Sequence, residues 1–275
     1  MTVEELIVYG KSKTSSDHAK MLLSSYLKVN PLELLTILDK EVDINIEKLY
    51  KSSLEALQEN KPIQYVIGNV NFYGLKFIVN KNVLIPRFET EELVEQVVEY
   101  AKSLNKDKIK ILDLGCGSGA IGLTLKNILK DSLVTLVDIS KEALEVARLN
   151  ANNLNLDVTF IESDWFSNIE LEKYDIIVSN PPYIKTNEEI EEIVKNNEPS
   201  LALYGGVDGL DCYKKILANI KPYLNDKFLI AFEIGETQKE ALYNIINSYL
   251  QDVEITCKKD LYGRNRMIFV RNKID

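Results

Sequence analysis

The first sixty positions of the chain place apolar residues at helical spacing. Thr2 and Glu5 have the spacing of a capping box ahead of an apolar run, which predicts a helix start. One side of the segment from Ser15 to Val29 is apolar, and a similar pattern runs from Asn45 to Glu59. Between them, Asn30-Pro31 is typical of a further helix start, with proline at the first helical position. The pattern therefore predicts a bundle of short helices.

The periodicity changes after Pro62 to one typical of strands. Two runs rich in aromatic and β-branched residues, Tyr65–Phe72 and Lys76–Val79, flank Tyr73-Gly74, which predicts a β-hairpin. A helix with acidic first turns is predicted next, from Glu89 to Tyr100. We therefore predict three parts: a helical domain suited to partner recognition over residues 1–60, a β-hairpin linker over 61–86, and a larger domain over 87–275.

Short apolar runs alternate with helical segments beyond Lys108. This alternation is typical of an α/β domain, in which parallel strands form a sheet with helices on both faces. Seven strands are predicted, at 109–113, 133–138, 158–162, 174–179, 228–233, 254–258 and 267–270. The main helices between them are predicted at 119–130, 141–153, 210–223 and 237–250.

Size and composition are those of an ordinary globular protein. The chain has 275 residues, of which 45% are hydrophobic and 27% are charged. No apolar run reaches the roughly 18 residues that span a bilayer. The first residues lack the basic start and apolar core of a signal peptide. We therefore expect a cytoplasmic protein with no membrane partner.

Cysteine and histidine are scarce in this chain. The three cysteines are widely spaced, and the single histidine, His18, lies in a polar segment where a surface position is expected. No spacing typical of metal ligands occurs, and an odd number of thiols does not suit a disulfide framework. We therefore expect no metal, and few residues are available for nucleophilic or histidine-based acid–base chemistry.

The net charge of −9 comes from the second part of the chain. Residues 1–84 carry ten basic and ten acidic side chains, whereas residues 85–275 carry 23 basic and 32 acidic ones. Duplex nucleic acid favours clustered Lys and Arg because its backbone is a chain of phosphates. An acidic region without a basic stripe therefore argues against nucleic acid as the substrate.

A glycine-rich loop, Gly115-Cys116-Gly117-Ser118-Gly119, follows the first predicted strand of the α/β domain. Glycines let the backbone pass close to a ligand, and the N–H groups of the following helix then point at that ligand. Asp113 lies beside the loop, where it could orient the glycine backbone or favour a cationic ligand. The loop predicts a nucleotide-type cofactor, although its spacing departs from G-x-G-x-x-G and is less suited to a pyrophosphate.

Acidic residues follow the next two predicted strands. Asp138 ends the second strand, where a carboxylate commonly holds ribose hydroxyls, and Ser140 is well placed to cap the following helix. The third strand is followed by Asp164-Trp165, an acidic–aromatic pair that can meet the amino group and the ring face of an adenine. Ordinary core packing is the alternative for Trp165. These residues are therefore candidate cofactor contacts.

The most specific motif is Asn180-Pro181-Pro182-Tyr183, directly after the strand at 174–179. Two prolines end a strand at the carboxyl edge of the sheet, where α/β proteins bind ligands. The Asn180 side-chain carbonyl and the Pro181 backbone carbonyl can accept both hydrogens of an NH2 group, and Tyr183 can cover its planar face. The two hydrogen bonds return electron density to an amide-like nitrogen and orient that nitrogen toward a methyl donor. The motif therefore predicts methyl transfer to such a nitrogen.

These motifs resemble those of the PrmC/HemK family of protein-(glutamine-N5) methyltransferases, which act on class-1 peptide chain release factors. The resemblance covers nearly the whole chain. Residues 85–91 are similar to the family's Pro-Arg-Pro-(Asp/Glu)-Thr-Glu segment, except that Phe88 replaces the more usual proline. Further similar segments lie at 198–199, 202–203, 205–206, 208–210, 233–235 and 260–266.

The resemblance implies a class I S-adenosylmethionine-dependent methyltransferase with a Rossmann-like, seven-stranded mixed sheet, a small N-terminal helical domain and a β-hairpin linker. The implied reaction moves a methyl group from S-adenosylmethionine to the N5 of the glutamine in a release factor's Gly-Gly-Gln motif. The predicted cofactor contacts are Asp113, Gly115, Cys116, Gly117, Ser118, Gly119, Asp138, Asp164, Trp165 and Asn180. The predicted substrate contacts are Arg87, Thr90, Asn180, Pro181, Pro182 and Tyr183, with Asn180, Pro181 and Tyr183 as the catalytic residues.

Other functions share part of this pattern. A DNA adenine-N6 or RNA guanine-N2 methyltransferase presents a similar NH2 group, but it must extract a base and hold phosphates, and this chain has only five arginines. A non-catalytic binding protein does not explain why the glycine loop, Asp138 and Asn180 are all present. A nicotinamide dehydrogenase also uses a carboxylate such as Asp138 to bind ribose hydroxyls, but its chemistry does not require an Asn-Pro-Pro-Tyr motif. Protein glutamine methylation is therefore the preferred interpretation.

Overall fold

The computed structural model describes residues 1–273. The contacts divide the chain into two compact units. The first comprises residues 1–69 together with 190–197, so it takes in a short segment from far along the sequence, and the second comprises the rest of the described chain. Each unit has a hydrophobic core of its own.

Helices dominate the first unit and flank the sheet of the second. Within the described residues they are α1 (Val3–Lys11), α2 (Ser16–Leu27), α3 (Ile44–Gln58), α4 (Ile63–Ile67), α5 (Glu89–Ser103), α6 (Ala120–Ile128), α7 (Lys141–Leu154), α8 (Glu192–Asn197), α9 (Asp211–Asn219) and α10 (Lys239–Tyr249). Short 3-10 helices cover Glu33–Thr36, Ser200–Ala202 and Lys221–Tyr223. None of the helices in residues 1–273 has the length and apolarity that crossing a membrane requires.

The first unit is held together by the apolar sides of α1, α2 and α3. Leu6, Leu22 and Leu54 come from these three helices and are buried in one cluster. The predicted capping box at the start of α1 is confirmed, because Thr2 Oγ1 accepts the Glu5 N–H at 3.2 Å and the Glu5 carboxylate accepts the Thr2 N–H at 3.0 Å. Reciprocal bonds of this kind satisfy N–H groups that a helix start leaves unpaired.

The α-helix predicted at Asn30-Pro31 is wrong. The start signal is present, since Asn30 Oδ1 accepts the N–H of Leu32 at 2.9 Å, but only the 3-10 helix at Glu33–Thr36 follows. Leu34 is the single buried residue of that helix, whereas Leu32 and Leu35 are exposed. One buried side chain provides too little packing to stabilise a longer helix.

The first strand of the predicted hairpin is also wrong in part. Instead of a strand over Tyr65–Phe72, the structure has α4 followed by β1 (Asn69–Phe72), which pairs with β2 (Leu75–Ile78). The helix starts directly after Pro62 and ends at Gly68, whose φ of 81° suits a glycine cap. These boundary residues outweigh the strand propensity of the aromatic and β-branched side chains between them.

All seven strands predicted for the α/β domain are present. They are β3 (Lys110–Leu114), β4 (Leu133–Asp138), β5 (Thr159–Glu162), β6 (Tyr174–Ser179), β7 (Leu224–Glu233), β8 (Val253–Lys259) and β9 (Asn265–Asn272). Their order in the sheet is β5-β4-β3-β6-β7-β9-β8, and β9 runs antiparallel to the other six strands, so the sheet is mixed. The order reverses between β3 and β6, which places a ligand crevice at the carboxyl ends of these two strands.

The central strands β3 and β6 are buried on both faces of the sheet. Ile111 and Ile176 point to one face and pack with side chains of α5, α6 and α7. Their neighbours Leu112 and Ile177 point to the other face and pack with α9 and α10. Because side chains alternate along a strand, strands buried on both faces become almost continuously apolar, which explains the apolar runs in the sequence.

Candidate active site

The glycine loop, residues 115–119, connects the carboxyl end of β3 to α6. Its backbone is attached to the neighbouring strand, because the N–H groups of Gly115 and Cys116 both donate to the Val137 carbonyl, at 2.8 and 2.9 Å. Gly117 has a φ of 54°, and a Cβ atom added there would meet no heavy atom within 4 Å. The loop therefore presents bare backbone to open space, as close contact with a ligand requires.

Asp138 holds the glycine loop from the end of β4. Its Oδ2 accepts the Gly117 N–H at 2.8 Å and its Oδ1 accepts the Ser140 N–H at 2.9 Å. The predicted capping role of Ser140 is confirmed, because its Oγ accepts the Ala143 N–H at 3.1 Å at the start of α7. Burial raises the pKa of Asp138, and these backbone hydrogen bonds oppose that effect. Each carboxylate oxygen keeps a further lone pair that can accept a ligand hydroxyl.

Asp113 is fully buried beneath the glycine loop. Its Oδ2 accepts the Gly122 N–H at 2.9 Å, while its Oδ1 has no hydrogen-bond partner among the described residues. Burial raises the pKa of Asp113 to about 7, and the charge of Asp138 acts in the same direction. A Cβ atom on Gly122 would lie 2.2 Å from Leu136 and 2.9 Å from Asp113 Oδ2, so only glycine allows this approach of helix to strand.

Trp165 lies against the glycine loop. Its φ of 51° is in the left-handed region, which a bulky residue rarely occupies. Its ring lies 3.6 Å from the position a Cβ atom would take on Gly115. The segment is held at β4 because the Ser163 N–H donates to the Asp138 carbonyl at 3.0 Å. Trp165 and the exposed Asp164 both line the cavity described below, although the Trp165 ring also packs on the core.

Asn180 begins the proline loop, residues 180–183, and is connected to a buried carboxylate. Its Nδ2 donates to Thr90 Oγ1 at 3.4 Å, and the Thr90 hydroxyl donates to Glu233 Oε2 at 2.6 Å. Thr90 and Glu233 are buried, whereas Asn180 is only partly buried and lines the cavity. Because the nitrogen of the Asn180 amide is engaged by this chain of bonds, its oxygen is left for a ligand.

The rest of the proline loop is firmly held. Pro182 lines the cavity, whereas Pro181 is buried. The Tyr183 ring packs against the core on the α9 side, and its hydroxyl lies 3.5 Å from Arg266 Nη1. Burial raises the pKa of the Tyr183 hydroxyl, so this group stays protonated. The Tyr183 carbonyl accepts a hydrogen bond from Gln238 Nε2 at 3.0 Å, which ties the loop to the turn after β7.

Arg87 reaches the cavity from the segment before α5. Its Nη2 donates to Glu198 Oε1 at 2.6 Å, and Glu198 Oε2 accepts the Ile85 N–H at 3.1 Å. The Glu198 side chain is only 1% exposed, while that of Arg87 is 37% exposed. A buried carboxylate needs such partners, so this pair fastens the two segments to each other.

A single cavity of about 390 Å³ gathers most of the predicted site residues. This volume is within the range of small-molecule and cofactor sites. The predicted residues in its wall are Arg87, Thr90, Gly115, Cys116, Gly117, Ser118, Asp138, Asp164, Trp165, Asn180 and Pro182. The predicted residues outside its wall are Asp113, Gly119, Pro181 and Tyr183. The residues predicted for the cofactor and those predicted for the substrate therefore share one space.

Three buried polar residues that support the site had no role in our sequence interpretation, namely Glu198, Glu233 and Gln238. Glu233 had a local signal, because it is an acidic residue at the carboxyl end of the apolar strand β7. Glu198 lies in one of the segments that resemble the family, at 198–199, but its local pattern indicated no role, and Gln238 had no signal. Their partners lie far away in sequence, such as Arg87 for Glu198 and Tyr183 for Gln238.

Comparison with known proteins identifies the class. A family model described as Methyltransferase small domain matches residues 91–205, and one described as PrmC N-terminal domain matches residues 9–68. A solved structure of a methyltransferase from Pyrococcus furiosus is similar, with a TM-score of 0.55 and 18% identity over 82% of this chain and 100% of that one. Together with the mixed seven-stranded sheet, these findings define a class I methyltransferase fold, as predicted.

The relatives identify the family within this class. The chain is 40% identical to the release factor glutamine methyltransferase of Streptococcus pneumoniae, over 97% of this chain and 94% of that relative. It is also 40% identical to the release factor glutamine methyltransferase of Clostridium acetobutylicum, over 98% of each chain. The chain belongs to the release factor glutamine methyltransferase family. The resemblance inferred from the motifs is thereby confirmed, and glutamine methylation is favoured over the nucleic-acid alternatives.

Proposed function

We propose that this chain transfers a methyl group from S-adenosylmethionine to the N5 of the glutamine in the Gly-Gly-Gln motif of class-1 peptide chain release factors. The observation that carries the proposal is the Asn180 amide, whose nitrogen is engaged by Thr90 and whose oxygen is left for an acceptor NH2 group. Membership of a family named for release factor glutamine methylation supports the same reaction. A cytoplasmic location, where release factors act, is part of the proposal.

The residues at the glycine-loop end of the cavity fit S-adenosylmethionine. The space over Gly117 admits a ligand against the backbone, and Asp138 offers carboxylate oxygens to ribose hydroxyls. Asp113, buried beside the loop with one oxygen unpartnered among the described residues, is the proposed contact for a cationic group in its ionised form. When bound, S-adenosylmethionine supplies an electrophilic methyl group on a positively charged sulfur. The other proposed cofactor contacts are Gly115, Cys116, Ser118, Gly119, Asp164, Trp165 and Asn180.

The proline-loop end of the cavity fits a primary amide. Asn180 Oδ1 and the Pro181 carbonyl would accept the two N–H hydrogens of the acceptor, which raises the electron density on its nitrogen. That nitrogen would be held toward the methyl group of the bound donor, and the electron pair of the carbon–sulfur bond would stay on sulfur as the methyl group is transferred. One proton then leaves the nitrogen for water, so no strong base is needed. Pro182 and Arg87 would border the acceptor, since both line the cavity, while the Tyr183 ring packs on the core and would hold the loop in place.

We also propose that the helical domain, residues 1–60, recognises the protein substrate, while residues 61–86 link it to the catalytic domain at 87–275. The first unit exposes several large apolar side chains that its own core leaves uncovered. They are Val8, Leu32, Leu35, Ile44 and Leu49. A contiguous patch of exposed apolar side chains is typical of a protein-binding surface. The partner would be a folded release factor, because the methyl acceptor belongs to a protein.

Incubation with labelled S-adenosylmethionine tests the proposal. Purified release factors, DNA and tRNA are supplied in parallel, and mass spectrometry locates the label. We expect methylation of the glutamine in the Gly-Gly-Gln motif, and no methylation when that glutamine is replaced by glutamate, because a carboxylate has no NH2 group. Asn180→Ala should lower turnover on the order of 100-fold, since it removes one preorganised acceptor. Label found only in the nucleic acids would show that the proposed substrate is wrong.

A further inference from the structure

The hydrogen bonds behind the proline loop have a defined direction. Thr90 lies between two partners, with its Oγ1 at 2.6 Å from Glu233 Oε2 and at 3.4 Å from Asn180 Nδ2. A hydroxyl has a single hydrogen, so a threonine that donates to a carboxylate can only accept from an amide. Ionised Glu233 therefore turns the nitrogen of the Asn180 amide toward Thr90 and turns its carbonyl oxygen away.

A protonated Glu233 allows the opposite arrangement. Its O–H group can donate to Thr90, which frees the Thr90 hydrogen to bond the carbonyl oxygen of Asn180. The Asn180 amide would then be reversed and would present its NH2 group to the cavity. Two NH2 groups offer only donors to each other, so an acceptor amide would lose the contact that positions its nitrogen.

We infer that Glu233, acting through Thr90, is a positioning residue that fixes the orientation of the Asn180 amide for methyl transfer. The inference rests on the proposed function, because it takes an NH2 group as the methyl acceptor. Glu233 is 2% exposed and is not part of the cavity wall, so it acts through other groups and is not itself a catalytic residue. It stands at the end of β7, adjacent to β6, which carries Asn180 at its own end.

The surroundings of Glu233 bring the pKa of its carboxyl group into the neutral range. Burial raises the pKa of this carboxyl to about 7, and the negative charge of Glu89 on α5 acts in the same direction. The positive charge of Arg266, on β9, acts in the opposite direction, as does the hydrogen bond from Thr90. Other groups that face Glu233 are the hydroxyls of Tyr183 and Tyr213, which burial keeps protonated. Lowering the pH should therefore protonate Glu233 and reverse the amide.

Steady-state kinetics of the full-length enzyme with release factor and S-adenosylmethionine test the inference. Between about pH 5.5 and about pH 8.5, wild-type kcat should fall about tenfold per pH unit on the acid side of the Glu233 pKa. Glu233→Gln should have a lower kcat with no acid limb, because glutamine does not ionise and can direct Thr90 either way. The KM for release factor should change little, since Glu233 touches no substrate.

Two substitutions of Thr90 separate positioning from packing. Thr90→Val removes the hydroxyl but keeps the shape, and it should lower kcat on the order of 100-fold with little change in KM. Thr90→Ser retains the hydroxyl and should retain most of the turnover. Thr124→Val is the matched control, because Thr124 is fully buried and its hydroxyl has no partner among the described residues. It should leave kcat and its pH profile unchanged.

The outcomes are distinguishable. Calorimetric titration with S-adenosylmethionine first confirms that each variant is folded. An acid limb that persists in Glu233→Gln, a wild-type profile without an acid limb, or equal losses in Thr90→Val and Thr90→Ser would each overturn the positioning role while leaving the proposed function intact. A wild-type enzyme that fails to methylate release factor would overturn the proposed function and the inference together.

Discussion

The side chain of Asn150 is paired with the backbone of Ile78. The Ile78 N–H donates to Asn150 Oδ1 at 2.6 Å, and Asn150 Nδ2 donates to the Ile78 carbonyl at 3.0 Å. The same nitrogen also donates to the Ser118 carbonyl at 2.9 Å. One buried amide on α7 thus joins the end of the β-hairpin to the glycine loop, so the hairpin contributes directly to the geometry of the cavity.

We predict that Asn150→Leu destabilises the protein by about 3 kcal/mol, because it leaves one N–H and two carbonyl groups without their partner. Asn153→Leu is the matched control, since Asn153 is exposed on the same helix and its replacement should change stability by less than about 0.5 kcal/mol. Urea unfolding followed by circular dichroism measures both. Equal midpoints for Asn150→Leu and wild type would show that the link between hairpin and loop contributes no stability.

Asp138 should matter for cofactor affinity for two reasons. It would accept ribose hydroxyls, and it already accepts the N–H of Gly117 and so shapes the glycine loop. We predict that Asp138→Ala weakens S-adenosylmethionine binding by one to two orders of magnitude, since a hydrogen bond to a charged group contributes roughly 1.5–3 kcal/mol. Calorimetric titration measures the affinity, with Asp157→Ala, an exposed surface change, as the control. Unchanged affinity in Asp138→Ala would exclude this residue from the cofactor site.

Asp113 should make stability depend on pH. Its pKa is raised from 3.8 to about 7 in the folded protein, so the folded state binds a proton more tightly than the unfolded state. The resulting stabilisation is present at low pH and is lost as the pH rises toward the folded pKa, at no more than about 1.4 kcal/mol per pH unit. We predict that Asp113→Asn flattens the decline in the free energy of unfolding between about pH 4 and about pH 7. Parallel curves for variant and wild type, measured by urea unfolding without cofactor, would contradict this.

Much of the α/β domain could be predicted because its signals are local. Each of its strands is a short apolar run, and Ser140 caps α7 as its position suggests. The carboxyl ends of parallel strands meet at one edge, so a strand end followed by glycines, acids or prolines already indicates a site residue. The glycine loop, Asp138 and Asn180 were predicted as site residues in this way, and Asp138, Asn180 and residues 115–118 of the loop line one cavity.

The remaining features depend on contacts that no local pattern shows. A helix lies before Gly68 where a strand was predicted. Pro62 and Gly68 at its two ends favour a helix more strongly than the side chains between them favour a strand. The Arg87–Glu198 and Thr90–Glu233 pairs each join residues that lie more than a hundred positions apart in the sequence. Tyr183 lies outside the cavity wall and its ring packs on the core, a placement that the local Asn-Pro-Pro-Tyr pattern does not show.

The exposed leucines of the first unit provide the test of substrate docking. Leu32 is 74% exposed and Leu35 is 58% exposed, so replacing both with serine should not affect folding. If they contact the release factor, the double variant should raise the KM for release factor about tenfold, which corresponds to roughly 1.4 kcal/mol of lost binding, and should leave kcat unchanged. Leu171→Ser is the matched control, because Leu171 is 73% exposed and lies shortly before β6, at the sheet edge opposite the cavity. A KM equal to that of the control would show that this surface does not dock the substrate.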